Sequence, residues 1–178
     1  MTNKATSVRG LSERVDLGNQ SWAAEIYFEI LDHRILVRTV SADFAEIVRH
    51  MLRSFPHEEG ATRDPEITFS IVAHEAVDPQ GASAFYRDGQ LIKRAGEYWK
   101  LLRILEWQMD LFMTRVETRH LLLHSGSLEI NGSGIILPGS SKAGKSSLVM
   151  ALLLRGFGYF SDELTAISTL SGELAAFP

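Results

Sequence analysis

The chain has 178 residues, no cysteine and a formal net charge of −4 at pH 7. The absence of cysteine excludes disulfides and thiolate metal sites, and the mild acidic balance disfavours a broad nucleic-acid-binding surface. No apolar run approaches the roughly 20 residues that a membrane-spanning helix needs, and the polar N-terminus lacks the apolar centre of a signal peptide. We therefore expect a cytoplasmic protein with neither a nucleic-acid nor a membrane partner.

Residues 1–20 are polar, and we expect them to be flexible. Residues 21–120 are then predicted to form an α+β unit. Two apolar runs, residues 24–30 and 34–40, are predicted to pair as a hairpin. Ser41 is predicted to cap a helix whose apolar residues recur three and four positions apart. Residues 66–72 alternate apolar and polar side chains, which predicts a half-buried strand.

A second hairpin and a long helix follow. Asp88-Gly89, between two apolar runs, is the strongest short hairpin signal in the chain. Residues 96–119 are predicted to be helical, with one continuous apolar stripe that we interpret as core packing. The stripe consists of Trp99, Leu102, Leu105, Met109, Phe112, Met113 and Val116.

Residues 121–178 are predicted to begin a second unit, so that the whole chain is of the α/β class. Strands are predicted at 121–124, 127–130 and 133–137, the last two joined by Asn131-Gly132. A strand at 157–161 and a hairpin around Ser171-Gly172 follow. A phosphate-binding sheet needs several strands, and only 32 residues follow Ser146. We therefore expect this unit to be incomplete.

A glycine-rich loop dominates the second unit. Residues 139–146, GSSKAGKS, fit the phosphate-loop pattern G-x-x-x-x-G-K-[ST] between a predicted strand and a predicted helix. Such a loop turns its N–H groups toward an anion at the helix N-terminus. Lys145 would reach the β- and γ-phosphates, and the Ser146 hydroxyl would ligate Mg²⁺. The candidate nucleotide-binding residues are Gly139, Ser140, Ser141, Lys142, Ala143, Gly144, Lys145, Ser146 and Ser147.

Two further features stand near this loop in the sequence. Asp162 and Glu163 follow the predicted strand after the loop helix, where phosphoryl-transfer enzymes place acidic residues. The alternative is a solvated acidic turn. His124 precedes the hairpin that leads into the loop, and taken alone it is an ordinary core or surface histidine. The other histidines show no metal-ligand spacing.

In these residues the chain resembles the HPr kinase/phosphorylase-like family. Its members are bacterial phosphate-loop serine kinases whose core is related to the ATP-type phosphoenolpyruvate carboxykinases. The resemblance covers residues 122–177. It rests on Leu123-His124, the loop itself, Arg155-Gly156-Phe157 and Asp162-Glu163. Lys145 follows His124 by 21 residues and precedes Asp162 by 17, as expected of that family.

The resemblance implies ATP and Mg²⁺ as cofactors and a protein or peptide serine as acceptor. Asp162 would be the base that takes the acceptor proton, with His124 and Lys145 beside the transferred phosphate. Ser146 and Glu163 would hold the metal, although the roles of Asp162 and Glu163 are interchangeable on these grounds. Relatives also suggest a homo-oligomer.

The chain departs from the bifunctional members of that family in three respects. They have two aspartates where this chain has Asp162-Glu163, a pair that resembles divergent members instead. The family's downstream phosphorolysis motif and C-terminal helix are not present. Residues 22–119 do not resemble the family's N-terminal domain, and HPr is therefore not carried over as the acceptor.

Three functions follow in order of preference. The first is an ATP-dependent, Mg²⁺-requiring kinase that phosphorylates a hydroxyl. The second is a non-catalytic nucleotide-binding or sensor module that retains the loop. The third, a carboxykinase-like enzyme for a small acid, would need basic and metal-binding residues that the sequence does not show.

Overall fold

The computed structural model describes residues 15–58, 64–72, 83–140 and 142–177. Over these residues the fold is α/β, with two sheets and three α-helices. The chain divides into two compact units, and the division falls inside a helix. The first unit is Met1–Glu29 with Arg34–Leu105, and the second is Ile30–His33 with Glu106–Pro178. The boundary expected after residue 120 stays a prediction.

In its described residues, the first unit contains one sheet with a single parallel strand pair. Its elements are β1 (Ala24–Ile30), β2 (His33–Thr39), α1 (Ala42–Met51), β3 (His57–Glu58), β4 (Ile67–Val72), β5 (Ser83–Arg87) and β6 (Gln90–Ala95). The strand order is β3-β1-β2-β4-β5-β6, and β2 is parallel to β4. A parallel pair needs a crossover connection. Helix α1 lies in that connection, capped by the Ser41 side chain, and it buries Phe44, Ala45 and Val48.

The hairpin predicted at Asp88-Gly89 is confirmed as the β5–β6 connection. Asp88 and Gly89 have φ values of 49° and 77°. Positive φ at both central residues belongs to the type I′ turn, whose twist matches that of paired strands. The register of the hairpin shifts between Tyr86 and Phe85. Phe85 lies in the core, where its ring centroid is 5.6 Å from that of Phe69.

The long helix α2 (Tyr98–Val116) confirms the predicted helix. The predicted stripe is confirmed at Leu105, Met109, Phe112 and Met113, which are buried, but it is wrong at Trp99. Trp99 is 53% exposed, whereas Leu101 is fully buried. Leu101, Leu105 and Met109 recur four residues apart and so share one face, whereas Trp99 lies about 200° around the helix from Leu101. Neither α2 nor any other helix in the described part of the chain is long and apolar enough to span a membrane.

The second unit is built around one 11-residue strand. Its elements after α2 are β7 (His120–Ile130), β8 (Ser133–Pro138), α3 (Lys145–Leu153), β9 (Gly158–Ser161), β10 (Leu164–Ser168) and β11 (Leu174–Ala175). The order is β11-β10-β7-β8, and β9 also pairs with β7. The two short strands predicted at 121–124 and 127–130 are therefore wrong as separate elements, because Ser125 and Gly126 pair with β8 and continue the strand.

A buried carboxylate fixes the start of β7. The Glu117 side chain is fully buried, and its Oε1 accepts hydrogen bonds from the backbone N–H groups of Arg119 and His120. The imidazoles of His33 and His120 lie 3.4 Å from its oxygens. Burial alone would raise the pKa of Glu117, but these hydrogen bonds and His120 together lower it. The charged Glu117 thus connects the β1–β2 turn to the strand that carries His124.

Candidate active site

The glycine-rich loop connects β8 to α3, so its predicted strand and helix flanks are confirmed. Gly144 is the N-cap of α3 and has φ 87°, a left-handed conformation that favours glycine. The N-cap glycine supplies no side-chain hydrogen bond, and the first-turn N–H groups have no partner within the helix. An anion is the ligand that such a helix start attracts. Ser141 lies outside the described residues, and phosphate binding by the loop stays a prediction.

The Lys145 side chain folds back over the loop. Its Nζ donates hydrogen bonds to the carbonyl oxygens of Gly139 at 2.9 Å and Ser140 at 3.2 Å. The same atom lies 3.4 Å from Nε2 of His124. The ammonium group is therefore held at the mouth of the loop, where a bound phosphate would replace the carbonyl oxygens as its partner.

The register of β7 brings the loop and the acidic turn to the same part of the sheet. Pro138, just before the loop, pairs with Ser125 on one edge of β7. Leu164, just after the acidic turn, pairs with His124 on the other edge. The backbone N–H of Ser125 donates to the Glu163 carbonyl oxygen at 3.1 Å. The middle of β7 thus lies between the two features that the sequence singled out.

Three of the predicted site residues meet through His124. Its Nδ1 lies 3.5 Å from Oε1 of Glu163, and its Nε2 faces Lys145. The imidazole and the Glu163 carboxylate are both exposed, and a ligand can reach them from solvent. Asp162 is oriented differently, because its Oδ1 accepts a hydrogen bond from the Tyr159 hydroxyl at 2.9 Å. The structure therefore separates the environments of the two neighbouring acids.

The predicted metal ligands are less closely grouped. Ser146 and Ser147 lie exposed in the first turn of α3. Among the described residues, no three His, Asp or Glu side chains are grouped so that they could hold a metal ion. Mg²⁺ in nucleotide sites takes only one or two protein ligands together with phosphate oxygens and water. The hydroxyl and carboxylate oxygens present are of the type that Mg²⁺ prefers.

Helix α3 approaches β7 closely at a glycine. A Cβ on Gly126 would lie 2.8 Å from Cγ2 of Val149, a distance too short for two carbon atoms. Val149 is the buried residue of α3. Gly126 thus allows Val149 of α3 to pack directly against the strand, two residues after His124.

Partial similarity to curated proteins agrees with this arrangement. HPr kinase/phosphorylase of Nitrosomonas europaea is 26% identical over 105 residues, which are 58% of this chain and 31% of that protein. The enzymes named HPr kinase/phosphorylase from Aromatoleum aromaticum and Azoarcus sp. are 31% and 33% identical over 64 and 61 residues. These two matches cover 36% and 34% of this chain and 20% of each relative. The chain is a distant relative of the HPr kinase/phosphorylases.

The similarity to the HPr kinase/phosphorylases covers about one fifth to one third of the length of these curated relatives. No protein-family model matches the chain. No solved structure matches it either.

Asp110 is a candidate site residue that neither the sequence pattern nor the HPr kinase resemblance indicated. It lines a cavity of about 220 Å³ beside the acidic turn. The cavity is lined by Trp107, Asp110, Leu111, Thr114, His124, Glu163 and Leu164. Burial, followed by the negative charges of Glu163 and Glu106, raises the pKa of Asp110 to about 6, while His124 lowers it. A carboxyl group shifted in this way beside other titratable groups is typical of functional sites.

Replacing Asp110 by asparagine is expected to stabilise the protein above pH 6. The folded state binds the Asp110 proton more tightly than the unfolded state, so wild-type stability falls as the pH rises from about 4 to 6. The pKa shift from 3.8 to about 6 means that Asp110→Asn should raise the free energy of unfolding by at most about 3 kcal/mol at pH 7.5. At pH 4 the increase should be close to zero.

Urea unfolding of both proteins at pH 4 and pH 7.5 measures this difference. Glu46→Gln, which neutralises an exposed carboxylate on α1, is the matched control and should change stability little at either pH. The same Asp110→Asn effect at both pH values would contradict the expectation.

Proposed function

We propose that this chain binds ATP with Mg²⁺ and transfers the γ-phosphate to a serine hydroxyl of a protein or peptide. The observation that carries the proposal is the position of His124 at the mouth of the loop, where it contacts both Lys145 and Glu163. The names of its relatives, HPr kinase/phosphorylases, support the same reaction class.

Each residue takes a role that suits its position. The loop amides and Lys145 hold the phosphates, and His124 keeps Lys145 beside the transferred group. Ser146 with Glu163 or Asp162 would hold Mg²⁺, which neutralises charge on the β- and γ-phosphate oxygens when it is bound. The acceptor oxygen attacks the γ-phosphorus in line with the bond to ADP. Asp162 accepts the proton that this oxygen loses.

The cavity beside the acidic turn is the proposed place of the acceptor. Helix α2 contributes the apolar side chains of Trp107 and Leu111, and β10 contributes Leu164. His124 and Glu163 form the side of the cavity that leads to Lys145. An acceptor placed there would be close to the phosphate that the loop binds.

We further propose that the protein acts in the cytoplasm as a homo-oligomer.

Ser146→Ala tests the nucleotide site directly. The substitution removes a hydroxyl ligand of Mg²⁺ and leaves the loop amides and Lys145 unchanged. We expect the gain in ATP affinity on adding Mg²⁺ to fall by at least about tenfold, as for other losses at a metal site. ATP affinity without Mg²⁺ should remain the same.

Titration calorimetry with and without Mg²⁺ measures both quantities. Ser133→Ala removes an exposed hydroxyl of β8, outside the loop, and serves as the control. An unchanged Mg²⁺ effect in Ser146→Ala would exclude Ser146 as a ligand. Tight ATP binding by a wild-type protein that transfers no phosphate to any acceptor peptide would favour the sensor alternative.

A further inference from the structure

Tyr159 provides the hydrogen bond that distinguishes Asp162 from Glu163. It lies on β9, where its backbone pairs with Leu128 of β7. The residue is 42% exposed, and its hydroxyl donates to Oδ1 of Asp162 at 2.9 Å. The tyrosine is thus anchored by the sheet, while its hydroxyl lies beside the acidic turn.

The direction of this hydrogen bond is fixed by the chemistry of the two groups. Burial, and then the nearby Asp162 charge, raise the pKa of Tyr159 above its usual value. The phenol therefore keeps its proton over the physiological pH range. A protonated phenol donates, and an ionised carboxylate only accepts.

The acidic turn itself is held by other contacts. The Ser161 hydroxyl accepts hydrogen bonds from the backbone N–H groups of Glu163 and Leu164, at 3.2 and 3.1 Å. Glu163 directs its carboxylate toward His124. The backbone of the turn is therefore held mainly by Ser161, and the Tyr159 hydroxyl contacts both the backbone N–H and the carboxylate of Asp162.

We propose that Tyr159 is a positioning residue that holds Oδ1 of Asp162, so that the other carboxylate oxygen is presented to the acceptor hydroxyl. This inference rests on the proposed kinase function, with Asp162 as its base. The terminal torsion of an aspartate is broad and roughly two-fold, so a free carboxylate would sample many orientations. One hydrogen bond from a strand-anchored phenol restricts that rotation, and proton transfer depends strongly on such orientation.

Tyr159→Phe tests the proposal, because it removes the hydroxyl and keeps the ring. With Mg²⁺, ATP and an acceptor peptide, we expect kcat to fall about tenfold. KM for ATP should stay within about twofold, because Tyr159 does not belong to the nucleotide loop. Tyr27→Phe, on β1 of the first unit, is the matched control and should leave both constants unchanged.

A double-mutant cycle separates positioning from general damage. In the Asp162→Asn background, measured as a single-turnover residual rate, Tyr159→Phe should cause no further loss. An equal tenfold loss in both backgrounds would overturn the proposal, as would an unchanged kcat in Tyr159→Phe alone. Phosphate found on Tyr159 by mass spectrometry would also overturn it, because the residue would then be an acceptor. A wild-type protein without any transfer would instead refute the proposed function.

Discussion

Lys145→Ala is expected to raise the dissociation constant for Mg²⁺-ATP by at least about a hundredfold. In the structure Nζ lies against the carbonyl oxygens of Gly139 and Ser140 and beside His124, at the mouth of the loop. Its charge would meet the β- and γ-phosphates. A hydrogen bond to a charged group contributes about 1.5–3 kcal/mol, and Lys145 can make more than one. Phosphoryl transfer should fall below detection for the same reason.

Calorimetry with Mg²⁺-ATP measures the effect of Lys145→Ala, and circular dichroism checks that the variant is folded. Lys93→Ala removes an exposed lysine from β6 in the first unit and is the matched control. Lys145→Arg should recover only part of the affinity, since a planar guanidinium does not replace a compact ammonium group. Undiminished ATP affinity in Lys145→Ala would rule out the nucleotide site.

Asp162→Asn is expected to lower the rate of phosphoryl transfer by about 10² to 10⁴-fold, the range of general-base contributions. Asparagine has nearly the same shape, and its carbonyl oxygen can still accept the hydrogen bond from Tyr159. ATP affinity should change by only a few-fold, because Lys145 and the loop are intact. A radioactive transfer assay combined with calorimetry separates these two effects.

Glu163→Gln is the comparison that decides between the two acids. If Asp162 is the base, Glu163→Gln should weaken the Mg²⁺ dependence of binding and retain more transfer than Asp162→Asn. The opposite ranking would exchange their roles, which the sequence alone left open. Full activity of Asp162→Asn would exclude this residue as the base.

Local signals predicted most of the strands and helices. At Asn131-Gly132 both residues have positive φ, 52° and 77°, and this hairpin joins β7 to β8 as predicted. Turn chemistry of this kind acts over two residues and can be recognised without the fold. The long strand β7 was not predicted, because its continuity through Ser125-Gly126 depends on pairing with β8, a tertiary contact that local sequence does not reveal.

The sequence indicates residues of the candidate site only where a motif exists, and tertiary packing adds the others. The loop and the acidic pair have characteristic spacings, and the structure brings Lys145, His124 and Glu163 together. Asp110 and Tyr159 carry no such signal. Asp110 belongs to a helix that ends before β7 begins, and only the fold places it beside Glu163. Trp99 fits the apolar spacing of α2 three residues before Leu102, yet it lies in the exposed first turn of the helix.

Gly126 lies 13 residues before the loop and outside the eight-residue motif. Yet it allows the close approach of Val149, the fifth residue of α3, and so affects how closely the loop helix packs on β7. Transplanting residues 139–146 into another strand–helix connection would move the loop amides and the lysine. It would not move the close packing between Val149 and Gly126. The loop helix therefore depends on packing against a neighbouring strand, and a search for the eight-residue pattern alone does not detect Gly126.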